Sequence, residues 1–178
     1  MPDEASEEAP SDLPAGRRPA FSDDPQFRKE LTRAMRSLAR RADTAARVRA
    51  RLLERGLPAD WTDEILSQLN GHGFLDDARY AASYARGRLE RGYGSARIRR
   101  ELEEGGINER LVDSALAGAL SEIDEVEVLR SVIAKRLRTH GEPKTAGQLK
   151  NLSNLLLRRG FGSESVRAEL EQWFKSVF

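Results

Sequence analysis

An all-α fold is predicted by this 178-residue sequence, on three observations. Ala, Leu, Arg and Glu, the residues that lose least on entering a helix, are abundant, while aromatics make up only 6%. Apolar residues recur three and four apart from Phe27 onward, and no alternating β-branched run competes with them. Glycine, proline and capping residues interrupt that pattern at intervals of about one helix length.

The elements follow in order. Met1 to about Ser22 is Pro, Glu, Ser and Ala with almost nothing to bury, so residues 1–24 are expected to be a disordered acidic tail. Phe27, Leu31, Met35 and Leu38 line a first helix, Val48 and Leu52 a second, and Ile65, Leu66 and Leu69 a third. Gly56 with Pro58 ends the second, and Gly71 and Gly73 end the third. Asp76 is placed to cap a fourth helix running through Tyr80 and Tyr84 to Arg91, and Ser95 a fifth through Ile98 and Leu102. Asn108 caps a sixth carrying Leu111, Val112, Ala115 and Leu116. A seventh is expected from about Glu122 to Arg138, broken by Gly141 and Pro143. The eighth holds Leu149, Leu152 and Leu156. The ninth, capped by Ser163, holds Val166, Leu170, Trp173 and Phe174.

These helices repeat in threes. Val48, Leu52, Gly56 and Leu57 have the spacing of Ile98, Leu102, Gly106 and Ile107, and of Leu152, Leu156, Gly160 and Phe161. A rival register pairs Arg91-Gly92-Tyr93-Gly94-Ser95 with Arg159-Gly160-Phe161-Gly162-Ser163, but it leaves the first copy without a counterpart. The preferred register predicts three tandem three-helix repeats, 25–74, 75–120 and 121–178. Each is too small to be comfortable alone, and together they would make an elongated, curved stack.

Charge is segregated along the chain. Met1 to Pro25 holds two basic and seven acidic residues, whereas Gln26 to Arg55 holds ten basic and three acidic. Such a basic segment suits a polyanion or an acidic protein surface, and a solvated helix face accounts for it equally well. With no cysteine there is no disulfide, no thiol nucleophile and no thiolate zinc site. No run approaches the roughly 20 apolar residues that span a bilayer, so a cytoplasmic protein without a membrane role is expected.

Groups able to do chemistry are scarce. His72 and His140 lie far apart in expected turns, so neither a metal site nor any other cofactor is predicted. Asp76-Asp77 reads as a helix start, since adjacent helical residues point apart. Gly92-Tyr93-Gly94-Ser95 lacks the strand and the Gly-Lys-Ser/Thr ending of a phosphate loop. Arginines remain: Arg97, Arg99 and Arg100 around Ile98, and Arg47, Arg49 and Arg51 around Val48. They can face phosphates or acidic side chains, or they can be the solvated backs of helices paired with Glu101, Glu103 and Glu54. The pattern alone leaves both open. Tyr80, Tyr84 and Tyr93 could stack on bases, although Tyr80 and Tyr84 share a helical face as core residues do.

Gly73-Phe74-Leu75-Asp76-Asp77-Ala78-Arg79-Tyr80-Ala81, continued by Arg91-Gly92-Tyr93-Gly94-Ser95-Ala96-Arg97-Ile98, Glu101-Leu102 and Gly106-Ile107, resembles the central repeat of the RecX family. The flanks agree, at Leu38-Ala39-Arg40-Arg41 and at Leu155-Leu156-Leu157-Arg158-Arg159-Gly160-Phe161, so the resemblance covers roughly Arg28 to Phe174. The first repeat departs from it, with Arg51 where the family often has Glu. The resemblance implies a non-enzymatic monomer that lies in the groove of a RecA filament on single-stranded DNA. There it would lower strand exchange and ATP turnover by opposing filament growth or promoting disassembly. Arg86, Arg91, Arg97, Arg100, Lys150 and Arg158 are then the expected contacts to RecA or to DNA phosphate. A helix-turn-helix DNA-binding protein contacting duplex DNA, and a helical-repeat scaffold for another partner, are the competing readings.

Overall fold

A computed structural model of the protein describes residues 20–177. Among them lie a 3-10 turn, Ala20–Asp23, and nine α-helices. These are α1 (Pro25–Arg40), α2 (Ala45–Glu54), α3 (Ala59–Gly71), α4 (Asp77–Glu90), α5 (Ser95–Glu104), α6 (Glu109–Glu122), α7 (Glu125–His140), α8 (Ala146–Arg158) and α9 (Ser163–Val177). The described residues contain no strand, as an all-α chain requires. Three boundaries depart from expectation. Residues 20–24 belong to the folded part, because Phe21 packs on Phe27 and Trp61 with ring centroids 5.5 and 6.1 Å away. The rest of the expected tail lies outside the described residues. The sixth helix runs on through Glu122, and the seventh begins only after Asp124, whose carboxylate accepts from the Val126 N–H at 2.8 Å. Ser95 and Ser163 are the first residues of their helices and do not cap them; the cap position of α5 is Gly94.

Asp24, Thr44, Asp76, Asn108, Asp124 and Thr145 each accept a backbone N–H at the start of their helices. Such caps contribute about 1 kcal/mol apiece. Buried apolar residues fall into three clusters, one within each successive helix triplet. The first joins Phe27, Leu38, Val48, Leu52, Ile65 and Leu69, and the second Ala81, Ala85, Leu89, Ile98, Leu102 and Val112. The third joins Leu129, Ile133, Leu149, Leu156, Val166 and Leu170. In the second triplet Ala81 and Ala85 of α4 are fully buried in the same cluster as Ala115 and Ala119 of α6, small side chains that let two helices pack closely.

The second helix of every triplet ends the same way. Gly56, Gly106 and Gly160 adopt φ of 81°, 78° and 91°, a left-handed conformation that costs a residue with a Cβ about 1 kcal/mol. The next residues, Leu57, Ile107 and Phe161, are buried and donate back to the carbonyls of Leu52, Leu102 and Leu156. This is the Schellman closure. Gly92 and Tyr93 end α4 by the same closure, which is why the Arg91–Ser95 and Arg159–Ser163 segments look alike in sequence.

Between triplets, the amino end of one second helix sits on the glycine end of the next. Thr44 is fully buried and donates its hydroxyl to the Gly105 carbonyl at 2.6 Å, while the Ala45 N–H donates to Asp77 at 3.0 Å. At the second joint the Gly94 and Ala96 N–H groups donate to the carbonyls of Arg159 and Gly160 at 2.8 and 3.2 Å, and the Ser95 N–H donates to Glu125 at 2.6 Å. Asp77 and Glu125 hold the same place, the first residue of the next triplet's first helix. A Cβ on Gly94 would overlap the Gly160 carbonyl, and one on Gly160 would overlap the Arg97 backbone.

Gly94→Ala is therefore expected to destabilise the protein by about 1–3 kcal/mol through overpacking alone, since its φ of −86° is ordinary. Gly87→Ala, in the interior of α4 with nothing within 4 Å of its new Cβ, is expected to stabilise by about 0.5–1 kcal/mol. Urea unfolding of the two variants checks the pair, and equal effects would remove the joint as a source of stability.

Candidate functional site

Where α4, α5 and the end of α8 meet, one carboxylate organises three other side chains. Glu101 Oε2 accepts from Arg88 Nε at 2.8 Å and from the Tyr84 hydroxyl at 2.9 Å, and Oε1 accepts from Arg97 Nε at 2.8 Å and from a second Arg88 nitrogen. The Arg88–Glu101 pair is thus bidentate, and its side chains are only 15% and 18% exposed. Partial burial works against the charged form of Glu101. The hydrogen bonds from Arg88, Arg97 and Tyr84 outweigh it and hold the carboxyl down at about 2. Burial, with the bond to Glu101, pushes the Tyr84 hydroxyl above its usual range.

Beside this network the Tyr93 ring is approached by three guanidiniums, those of Arg88, Arg97 and Arg159, at 3.7, 4.7 and 5.5 Å from its centroid. Arg159 also donates to the Gly92 carbonyl at 3.1 Å, and Arg97 reaches the Arg158 carbonyl at 3.4 Å. These contacts tie the second triplet to the third. Around them opens a cleft of about 430 Å³, to which Arg91, Lys135, Arg136 and Arg159 contribute.

The residues expected to contact a partner are dispersed by this geometry. Arg97 is part of the joint and Arg86 pairs with Glu122. Arg100 reaches Glu104 at 3.9 Å, with both side chains about two-thirds exposed. Arg91 lines the cleft, while Lys150 and Arg158 are exposed on α8 without a carboxylate partner among the described residues. Arg97 and Arg158 are brought together, but Arg86 and Arg100 lie on their own carboxylates. Sequence reasoning missed Arg88, Arg159, Lys135 and Arg136. The i,i+4 spacings Tyr84/Arg88 and Arg97/Glu101 were the available signal. Asp77, expected as part of a helix start, also accepts from the preceding triplet. Among the described residues no three His, Asp or Glu converge as a metal site, and no helix is long and apolar enough to cross a membrane.

Residues 76–116, which hold this network, match the family profile described as RecX, second three-helix domain. Regulatory protein RecX of Xanthomonas axonopodis pv. citri is 35% identical over 138 residues, covering 78% of this chain and 83% of its own. The chain belongs to the RecX family. Regulatory protein RecX of Halorhodospira halophila is 34% identical over 135 residues, covering 76% of this chain and 82% of its own. A crystal structure of regulatory protein RecX superposes with a TM-score of 0.68 at 28% identity, covering 83% of this chain and 72% of that one. RecX from Lactobacillus salivarius, at 21% identity and a TM-score of 0.67, shares the fold over 82% of this chain and 95% of its own. The RecX relatives are named regulatory proteins.

A carboxyl lowered from 4.5 to about 2 on folding stabilises the protein above pH 4.5, and that contribution is lost as pH falls towards 2. Glu101→Gln is expected to cost about 2 kcal/mol at pH 7, with Arg88 left partly buried beside a neutral amide. The difference from the parent should shrink between pH 4.5 and 2. Thermal unfolding across that range checks it, and a difference independent of pH would assign the loss to packing.

Proposed function

We propose that this RecX-family chain is a monomeric, cytoplasmic, non-enzymatic regulator of RecA. It binds the recombinase filament on single-stranded DNA and lowers ATP turnover and strand exchange by opposing filament growth or promoting disassembly. The observation that carries this reading is the pair of like joints, Thr44 on Gly105 and Gly94 on Arg159, each braced by a carboxylate. We take the helix triplets as tandem repeats, 25–74, 75–120 and 121–178. Like joints give successive repeats like offsets, and a repeating molecule is suited to a lattice of identical protomers. Exposed cations on the second and third triplets, Arg91, Arg100, Lys150 and Arg158, are the contacts offered to acidic recombinase surface or to DNA phosphate. Arg86 and Arg97 contribute by holding the surface in shape.

A helix-turn-helix reading fits less well. A recognition helix reads bases with its amino-terminal residues, and in α2 and α5 those residues are occupied by the joints. Two arginines of α5 also face carboxylates, Arg97 with Glu101 and Arg99 with Asp113.

ATP hydrolysis by RecA on single-stranded DNA is expected to fall when stoichiometric amounts of this protein are added. Arg100→Glu with Lys150→Glu and Arg158→Glu should weaken that inhibition tenfold or more without loss of helical circular dichroism. Undiminished hydrolysis with the parent protein would overturn the proposal, and full inhibition by the triple variant would remove those three residues from the contact.

A further inference from the structure

The basic segment 26–55 folds into two unlike helix surfaces. On α2 the arginines are matched by acids: Arg47 and Arg51 meet Asp43, Arg49 meets Asp63 and Arg55 meets Glu30. On α1 they are not. Lys29, Arg33, Arg36 and Arg40 are exposed and have no carboxylate partner among the described residues. Glu30, the one acid of α1, is buried and bonds Arg55.

Steps of four, three and four residues put these cations within about 60° of one another around the helix axis, on the side away from the buried Phe27, Ala34 and Leu38. From Lys29 to Arg40 the stripe is about 16 Å long at about 1.5 Å per residue. Like charges at this spacing repel, and an anion lying over them relieves the repulsion. The nearest source of anions is the chain itself. Residues 1–19, which precede the described part, carry Asp3, Glu4, Glu7, Glu8 and Asp12 against Arg17 and Arg18. The chain enters at Ala20, just before α1 begins at Pro25. Asp12 stands eight residues before Ala20, a reach of at most about 28 Å, against about 24 Å for the whole of α1. The four acids before Asp12 reach further.

We infer that the acidic segment from Asp3 to Asp12 lies along the α1 stripe of its own chain and covers it against other anions. Exposed ion pairs are individually weak. The tether offsets this by holding the segment near α1 at an effective concentration on the order of millimolar. The other group of cations, around the 430 Å³ cleft, lies between the second and third triplets, whereas the segment enters at the first. An external acidic partner reaches the stripe only by displacing the segment, so the contact sets a threshold on what α1 binds. The inference is independent of the recombinase reading, because both sides of the contact belong to this chain.

Because the chain has no cysteine, Ser6→Cys gives a single site for a nitroxide in the full chain, and amide NMR reads which residues the label approaches. The amino half of α1 lies close to the tether in any case, so the carboxyl half decides. At low salt the amides from Arg36 to Arg40 are expected to lose about half their intensity or more, and to recover it at about 0.5 M NaCl, where screening acts within about 4 Å. Recovery at low salt is also expected in Arg33→Gln with Arg36→Gln and Arg40→Gln, exposed positions where the new residue still favours a helix. Neutralising the segment by Asp3→Asn, Glu4→Gln, Glu7→Gln, Glu8→Gln and Asp12→Asn should do the same. No loss at Arg36 to Arg40, a loss unchanged by salt or by either set of substitutions, or a stronger loss around Lys135 and Arg136 would each overturn the inference. So would an equal loss in an isotope-labelled chain mixed with a nitroxide-bearing one, which would place the segment on a second copy.

Discussion

The amino end of one helix seated on the glycine end of another, with a carboxylate from the next triplet's first helix accepting the first free N–H, is the contact on which the rest of this structure depends. A helix start leaves N–H groups without partners, and a Schellman closure leaves carbonyls pointing outward. The joint pairs these two deficits. At Thr44–Gly105 a buried hydroxyl makes the bond, and at Gly94–Arg159 the backbone makes it directly. The second version demands two glycines, because a Cβ on Gly94 would meet the Gly160 carbonyl and one on Gly160 would meet Arg97. The third copy of the seat, Thr145-Ala146-Gly147 at the start of α8, has among the described residues only its own cap within 4 Å of the Gly147 Cβ position.

Of the cations proposed as partner contacts, Arg91 and Arg158 lie beside the second joint. The Glu101 carboxylate fixes Arg88 and Arg97 by hydrogen bonds, and Arg97 in turn reaches the Arg158 carbonyl across the second joint. The cleft between α4 and α7 exists because the joint sets those helices apart while holding Arg159 against Gly92 and Tyr93. A surface assembled from two triplets needs only modest affinity from each cation, provided the triplets keep their offset. That is why the joint, more than any single arginine, is expected to govern regulation.

Much of this was legible in the sequence. Helical spacing located the helices, Asp76 and Asn108 cap as their positions imply, and the Gly-plus-apolar signal after α2, α5 and α8 marks real chain reversals. Less was legible where a residue serves something distant. Ser95 looks like a cap, but the joint leaves no room for a side chain at Gly94, so the serine sits one residue inside and bonds Glu125. Phe21 looked like part of a polar tail because its partners, Phe27 and Trp61, lie elsewhere in the chain. Arg97 and Arg99 each have a glutamate four residues on, and Arg97 bonds Glu101 as that spacing allows, but Arg99 hydrogen-bonds Asp113 on α6. Charge counted along a sequence cannot register which carboxylate a fold brings near.

If regulation belongs to the stack, breaking a joint while sparing the triplets should abolish it. The direct measurement is RecA ATP hydrolysis on single-stranded DNA with the parent chain and with Gly94→Val, whose side chain would force α5 off the Gly160 carbonyl. The expected result is strong inhibition by the parent and at least a tenfold loss of potency in the variant, with helical circular dichroism retained. Full inhibition by a folded, helical Gly94→Val protein would contradict the account.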